Sequence, residues 1–204
     1  PELGIALPGL SLICPDSHTC TLGGLGALAW GVGSTEAEHA LATSTLRVTR
    51  PQTMRVSFAG VLNEGVSAKD LILFTIRELS ASGGAGFAIE FAGPAIEALP
   101  VEARLTLCNM TTELSAFTGL IAPDQKVLDY CAGRRYAPQA EVWHQATQHW
   151  QSLRSDEGAA FDQEHHFDIG SLKPQLSWGT SPHHCVDWDA AIPHAGDAPD
   201  ASAS

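Results

Sequence analysis

The stretch Leu12-Ile13-Cys14-Pro15-Asp16-Ser17-His18-Thr19 places a carboxylate, a hydroxyl and an imidazole in consecutive positions directly after a short apolar run. An apolar run without alternation predicts a buried strand. In α/β proteins, ligand-handling side chains lie in loops at the carboxyl ends of such strands. The stretch therefore predicts an α/β fold with a binding or catalytic site at Asp16, Ser17 and His18.

The whole chain has the composition of a folded protein of one or two domains. Its 204 residues are 44% hydrophobic and 17% charged, and its net charge is −12. Because no run of Lys or Arg is present, we expect no nucleic-acid partner and no anionic-membrane partner. No apolar stretch is long enough to span a bilayer, and no basic start followed by an apolar segment suggests secretion. A cytoplasmic location is the default expectation.

The cysteines and the histidine doublets are the candidate metal ligands of this sequence. The five cysteines have irregular spacing and no Cys-x-x-Cys pair, which argues against a zinc ribbon, a disulfide scaffold or a self-contained iron–sulfur site. We expect most of them to be reduced and structural. His165-His166 and His183-His184-Cys185 contain zinc-ligand types, but neighbouring residues on a strand point in opposite directions. We expect surface histidines there.

Turn residues and hydrophobic periodicity predict alternating helices and strands along the chain. Predicted helices cover 34–46, 67–79, 100–121, 126–131 and 141–153, and predicted strands cover 53–60, 87–91, 165–169 and 175–178. A Gly-rich segment at 23–33 permits close backbone packing and does not fit the spacing of a dinucleotide-binding loop. On the helix starting at Pro100, Asn109 and Glu113 lie four residues apart and on one face. This pair is a second candidate site.

Considered alone, these residues support only a general prediction of acid–base or anion-binding chemistry. A Ser/His/Asp triad within Asp16-Ser17-His18 is a weak alternative, because triad members come from separated segments. Several segments, however, resemble the aconitase superfamily in the same order and at similar spacing: Asp16–Thr19, the Gly-rich segment, Glu36–Thr43, Ser67–Asp70, Gly83–Gly86 and Leu107–Glu113. The runs at 36–43, 121–124 and 178–182 resemble the isopropylmalate dehydratase branch more than mitochondrial aconitase.

This resemblance, which extends to about Pro182, implies partial aconitase-like α/β/α domains with three layers. Residues 1–50 would be the C-terminal part of a first domain, residues 51–180 a second α/β domain, and residues 181–204 a linker towards a missing third domain. The Cys-Thr-Asn and Cys-x-x-Cys segments that hold the family's cluster have no counterpart among the five cysteines. We expect this chain to be the middle portion of a longer large subunit.

The resemblance also implies an enzyme, a hydro-lyase of leucine biosynthesis. Such a lyase interconverts 2-isopropylmalate and 3-isopropylmalate by removing and re-adding water. Its [4Fe–4S] cluster acts as a Lewis acid, and a small subunit that carries a swivelling domain is its partner. Because the matching cysteines are absent, we expect no metal ligand in this chain, no bound cluster and no activity by the chain alone.

Individual roles are likewise implied by the resemblance. Asp16 and His18 would belong to two acid–base pairs, and Glu113 would be the partner of His18. Ser17 would contact a substrate carboxylate, and Asn109 would be a polar neighbour of the cluster and the substrate. Two alternatives stay open: homoaconitase or another methylmalate-type hydro-lyase, and a non-catalytic remnant that binds a carboxylate ligand or a partner subunit.

Overall fold

A computed structural model of the protein describes residues 1–191, 193 and 194. Helices and strands alternate along this part of the chain, in the order β1 Ser11–Cys14, β2 Leu28–Gly31, α1 Ser34–Thr43, β3 Gln52–Ala59, α2 Ala68–Leu79, β4 Phe87–Ala92, α3 Pro94–Ala98, α4 Val101–Asn109, β5 Thr118–Leu120, α5 Gln125–Cys131, α6 Ala140–Gln151, β6 Gln163–Asp168, β7 Gln175–Ser177 and β8 Cys185–Asp187. Two 3₁₀ helices lie at Thr19–Leu25 and Met110–Leu114. The predicted α/β fold class is confirmed.

The centre of the fold is a four-stranded parallel sheet in the order β5-β4-β3-β6. Alternation along β3 buries Met54, Val56 and Phe58 on one face, where they pack with residues of α2 in the main hydrophobic core. Full burial of a side chain of this size contributes about 1.5–3 kcal/mol. Arg55 and Glu90 lie opposite each other in register, and their half-buried side chains form an ion pair at 3.3 Å.

Helix α2 begins where the sequence predicts, because Ser67 and Asp70 form a capping box. The Ser67 amide donates to Asp70 Oδ2 at 2.8 Å, and the Asp70 amide donates to Ser67 Oγ at 3.4 Å. The other oxygen of Asp70 accepts from the Gln175 amide at 2.8 Å, which joins β7 to the helix. Partial burial opposes ionisation of Asp70, but the hydrogen bonds from Ser67 and Gln175 outweigh it and lower the pKa of this carboxyl group.

The predicted helix from Pro100 to Ile121 is wrong in length. Helix α4 ends at Asn109, and after the second 3₁₀ helix the chain turns at Ser115, whose φ is 58°, into β5. Tertiary contacts override the local helical pattern here: Thr118 pairs in register with Ala88, and its hydroxyl donates to the Ala29 carbonyl at 2.6 Å.

The prediction of a buried first strand is also wrong, since β1 pairs only with β2 among the described residues and is at most half-buried.

The Gly-rich segment does allow close packing, as the sequence predicts. A Cβ on Gly23 would lie 1.7 Å from the Gly119 carbonyl oxygen, and one on Gly24 would lie 2.7 Å from the Leu105 amide. The Ile121 amide donates to the Gly23 carbonyl at 3.0 Å. The first 3₁₀ helix is therefore packed directly on α4 and β5.

The division into domains at residue 50 stays a prediction. Within the predicted linker at 181–204, strand β8 pairs with β7 in antiparallel register. Residues 192 and 195–204 of that predicted linker lie outside the described residues.

All five cysteine thiols are free, and four of them are buried. Burial raises the pKa of the Cys108, Cys131 and Cys185 thiols, most strongly for Cys108.

The expectation of surface histidines is wrong for His184, which is buried with its ring stacked on Trp178. In the part of the chain that the structure describes, no helix has the length and apolar character needed to cross a membrane.

Candidate active site

The loop after β1 is shaped by Asp16, which lies three residues before the first 3₁₀ helix. The His18 amide donates to Asp16 Oδ1 at 2.7 Å, and the Thr19 amide and hydroxyl both donate to the Asp16 carbonyl, at 3.2 and 2.6 Å. Asx turns of this kind are a common local role of aspartate. Asp16 itself stays exposed, so its carboxylate both shapes the loop and faces solvent.

The imidazole of His18 lies between two carboxylates. Its Nε2 atom is 3.8 Å from Glu113 Oε1, its Nδ1 atom is 4.0 Å from Asp16 Oδ1, and the Ser17 hydroxyl is 3.0 Å from Nδ1. A Ser17 hydroxyl that donates to Nδ1 leaves the ring proton on Nε2, where it faces Glu113. About two fifths of each side chain of the His18–Glu113 pair is exposed, so a ligand can reach both groups.

Glu113 is presented by the second 3₁₀ helix, whose buried residues Thr111 and Leu114 anchor it to the core. The helical-face argument for Asn109 and Glu113 is wrong, because α4 ends at Asn109. Both residues nevertheless approach the loop after β1. The Asn109 amide nitrogen donates to Thr21 Oγ1 at 2.8 Å, so that nitrogen is already engaged within the protein.

Sequence reasoning missed three residues that connect these segments: Cys20, Thr21 and Thr112. The Thr112 hydroxyl donates to the Ser17 carbonyl at 2.8 Å, and Cys20 Sγ lies 3.3 Å from the same hydroxyl. Thr21 donates to the His18 carbonyl at 2.6 Å. Thr112 lies inside the segment Leu107–Glu113, and Cys20 and Thr21 directly follow Asp16–Thr19. A small polar side chain carries no pattern, however, that predicts which backbone carbonyl it meets across the chain.

An open groove of about 460 Å³ adjoins the loop. Ser17, Cys20 and Thr112 line one part of it, and Val32 and Phe117 line the apolar part. The Phe117 ring packs on Trp30, with ring centroids 5.2 Å apart. The lining of the groove therefore combines hydroxyl groups with apolar side chains.

A larger cavity of about 640 Å³ lies elsewhere, over the half-buried face of the central sheet, and none of the predicted site residues lines it. Four of its charged groups are paired with one another: Arg104 pairs with Asp124 at 2.6 Å, and Arg55 pairs with Glu90. We therefore assign the candidate site to the loop at Asp16–His18, where carboxylate, hydroxyl and imidazole groups are accessible together.

Comparison with known proteins identifies the family. The model of the aconitase family (aconitate hydratase) matches residues 1–204. The chain belongs to the aconitase family. It is 54% identical over 200 residues to 3-isopropylmalate dehydratase large subunit 1 of Bradyrhizobium diazoefficiens, a match that covers 98% of this chain and 42% of that relative. This aconitase-family chain thus spans about two fifths of the length of that relative.

Membership of the aconitase family implies an iron–sulfur cluster in the intact enzyme. The residues described here do not fit a cluster, because no three His, Cys, Asp or Glu side chains among them converge as metal ligands. Cys20 contacts the Asn109 carbonyl at 3.5 Å, and Cys108 is fully buried with a raised thiol pKa. Cluster ligation needs convergent thiolates, so we derive no chemical step from a cluster held by these residues.

Proposed function

We propose that this chain is the part of a 3-isopropylmalate dehydratase large subunit that carries the proton-handling pair His18 and Glu113. The complete enzyme would be a hydro-lyase of leucine biosynthesis that interconverts 2-isopropylmalate and 3-isopropylmalate. The observation that carries this proposal is the 54% identity to a dehydratase large subunit over nearly the whole chain. The arrangement of Asp16, Ser17 and His18 opposite Glu113 supports it independently.

The proposed roles follow from what each group can do. Dehydration of a hydroxy acid requires a proton for the leaving hydroxyl, and a positioned imidazole is a common donor. Protonated His18 supplies that proton, and the Glu113 carboxylate, 3.8 Å from Nε2, stabilises the charged form of the ring. Ser17 contacts a substrate carboxylate, and Asp16 belongs to a second acid–base pair. Asn109 is a polar neighbour of the substrate through its amide oxygen.

The proposal includes parts of the enzyme that the described residues do not supply. A [4Fe–4S] cluster would be held by cysteines elsewhere in the large subunit, and the small subunit would complete the enzyme. Small hydroxy-dicarboxylates are the proposed substrates, and the cytoplasm is the proposed location.

The test uses the complete large subunit that contains this chain, co-expressed with its small subunit and reconstituted anaerobically with iron and sulfide. Rates of water removal are compared for 2-isopropylmalate, homocitrate and citramalate. The proposal predicts the highest kcat/KM with 2-isopropylmalate. A preference for homocitrate or citramalate would instead indicate a homoaconitase or a methylmalate-type hydro-lyase. Absence of turnover with all three, despite an intact cluster, would indicate a non-catalytic binding protein.

A further inference from the structure

The peptide that precedes His18 is held by a hydroxyl from a distant segment. Thr112 Oγ1 donates to the Ser17 carbonyl oxygen at 2.8 Å. Thr112 directly precedes Glu113 in the second 3₁₀ helix. One two-residue segment therefore supplies both the carboxylate that faces the imidazole and the hydroxyl that fixes the backbone from which the imidazole extends.

The carbonyl of His18 itself is held in a similar way. It accepts from the Thr21 hydroxyl at 2.6 Å, and Thr21 in turn accepts from the Asn109 amide nitrogen at 2.8 Å. Both carbonyls next to the His18 side chain are thus connected, directly or through one hydroxyl, to residues 109–112.

The thiol of Cys20 completes this network. Its sulfur lies 3.3 Å from Thr112 Oγ1 and 3.5 Å from the Asn109 carbonyl oxygen. The thiol is a weak donor. Because Thr112 gives its own proton to the Ser17 carbonyl, Cys20 can donate to the Thr112 hydroxyl oxygen, to the Asn109 carbonyl or, at a longer 4.0 Å, to the Ser17 carbonyl. None of these contacts takes the Thr112 proton away from the Ser17 carbonyl.

We propose that Thr112 is a positioning residue that sets the separation between His18 and Glu113, an inference that rests on the proposed function of this pair. At 3.8 Å the two side chains are too far apart for a hydrogen bond of normal length, so their direct contact does not hold the ring in place. The shorter bonds to the backbone on either side of His18 do. Without the Thr112 hydroxyl, the direct link from the second 3₁₀ helix to the Ser17 carbonyl is lost, and the loop after β1 can shift relative to Glu113.

The experiment compares Thr112→Val, Thr112→Ser and Thr106→Val in the complete large subunit with its small subunit. Valine keeps the shape of threonine and removes the hydroxyl, and serine keeps the hydroxyl. Thr106 is the matched control, because its hydroxyl donates only to the Glu102 carbonyl within α4. Displacement of a catalytic group by about 1 Å costs on the order of 10²-fold in rate. We expect kcat of Thr112→Val to fall about 10- to 100-fold with KM within about threefold of the wild-type value.

The two other variants decide whether the hydroxyl is responsible. Thr112→Ser is expected to retain kcat within about threefold, and Thr106→Val within about twofold. Near-normal kcat in Thr112→Val would overturn the proposal. So would a Thr112→Ser variant as slow as Thr112→Val, because packing of the methyl group would then be the cause.

A second readout does not depend on the reaction. Diethyl pyrocarbonate modifies accessible imidazoles, and mass spectrometry gives the rate at His18 in each variant. We expect faster modification in Thr112→Val and an unchanged rate in Thr112→Ser, whereas equal rates in both would overturn the proposal.

If the wild-type complex has no dehydratase activity, the proposed function fails while this comparison of modification rates still decides the role of Thr112. Thr112→Ala replaces Thr112→Val if circular dichroism shows that the valine variant is unfolded.

Discussion

The Nε2 atom of His18 lies 3.8 Å from Glu113 Oε1, although His18 precedes the first 3₁₀ helix and Glu113 lies in the second, in distant parts of the chain. This separation allows electrostatic attraction but exceeds a normal hydrogen bond. Catalytic hydrogen bonds are often long in the absence of substrate and tighten when it binds. The two side chains are therefore close enough for a small movement on substrate binding to bring them into hydrogen-bond contact.

Glu113→Gln is expected to reduce turnover far more than it weakens substrate binding. Glutamine keeps the size of the side chain and accepts a hydrogen bond from His18, but it removes the charge that stabilises the imidazolium. Loss of a general acid–base role lowers the rate by about 10²- to 10⁴-fold. The measurement is kcat and KM of the complete large subunit with its small subunit, with iron and sulfide content checked.

Glu102→Gln is the matched control for Glu113→Gln, because Glu102 is exposed in the first turn of α4 and away from the loop. It is expected to leave kcat unchanged within about twofold, as surface substitutions have small effects. A Glu113→Gln enzyme with an intact cluster and near-normal turnover, but a melting temperature several degrees lower, would make Glu113 a structural residue.

The sequence predicted the parts of the fold that depend on local pattern. Alternation at 53–60 predicted β3, and the Ser67–Asp70 capping box predicted the start of α2. The end of α4 was not predictable, because it depends on the pairing of β5 with β4 and on the hydrogen bond from Thr118 to Ala29. Both contacts exist only in the folded chain.

The sequence likewise predicted only part of the candidate site. Carboxylate, hydroxyl and imidazole side chains in the sequence indicated the loop at Asp16–His18 and also Glu113. The structure brings the loop and Glu113 together. The supporting residues Cys20 and Thr112 were not identified, because their importance comes from which backbone carbonyls they meet. His184 was misassigned to the surface for a related reason, since its stacking on Trp178 depends on the β7–β8 hairpin.

Gly23→Ala is expected to prevent stable packing of the first 3₁₀ helix on β5. The new Cβ would lie 1.7 Å from the Gly119 carbonyl oxygen, a distance that only displacement of one of the two backbones relieves. Overpacking of this kind costs at least about 1–3 kcal/mol. The measurement is the melting temperature and soluble yield of the complete large subunit.

Gly33→Ala is the control for Gly23→Ala. The backbone of Gly33 has φ −68° and ψ 160°, and a Cβ there would meet its nearest neighbour, Glu36 Oε2, at an ordinary contact distance of 3.5 Å. Its cost is expected to stay within about 1 kcal/mol, the usual range for a helix N-cap. Equal melting temperatures for the two variants would contradict the close approach of Gly23 and Gly119.

Asp124→Asn is expected to destabilise the protein strongly, because it leaves the Arg104 guanidinium, which is 1% exposed, without its carboxylate. Arg104 donates to Asp124 Oδ2 at 2.6 Å, and Asp124 also caps α5 through the amides of Lys126 and Val127. Removal of one partner from a fully buried ion pair costs about 3–5 kcal/mol, and because the Asp124 side chain is 29% exposed we expect a cost at or below the lower end of that range. Asp129→Asn, on the exposed side of α5, is the control and is expected to change stability by about 0.5 kcal/mol or less.

The same ion pair predicts a pH dependence of stability. Partial burial works to raise the pKa of Asp124, but the hydrogen bond and charge of Arg104 and the two α5 amides outweigh it, so the pKa is lowered in the folded protein. A carboxyl group with a lowered folded pKa stabilises the fold above its unfolded pKa of about 3.9 and loses that contribution as pH falls through its folded pKa.

Melting temperatures measured from pH 7 down to about 3.5 should therefore fall less steeply below about pH 5 in Asp124→Asn than in the wild type. Parallel curves for the two proteins would mean that Asp124 does not contribute to acid sensitivity, whatever its effect on stability at neutral pH.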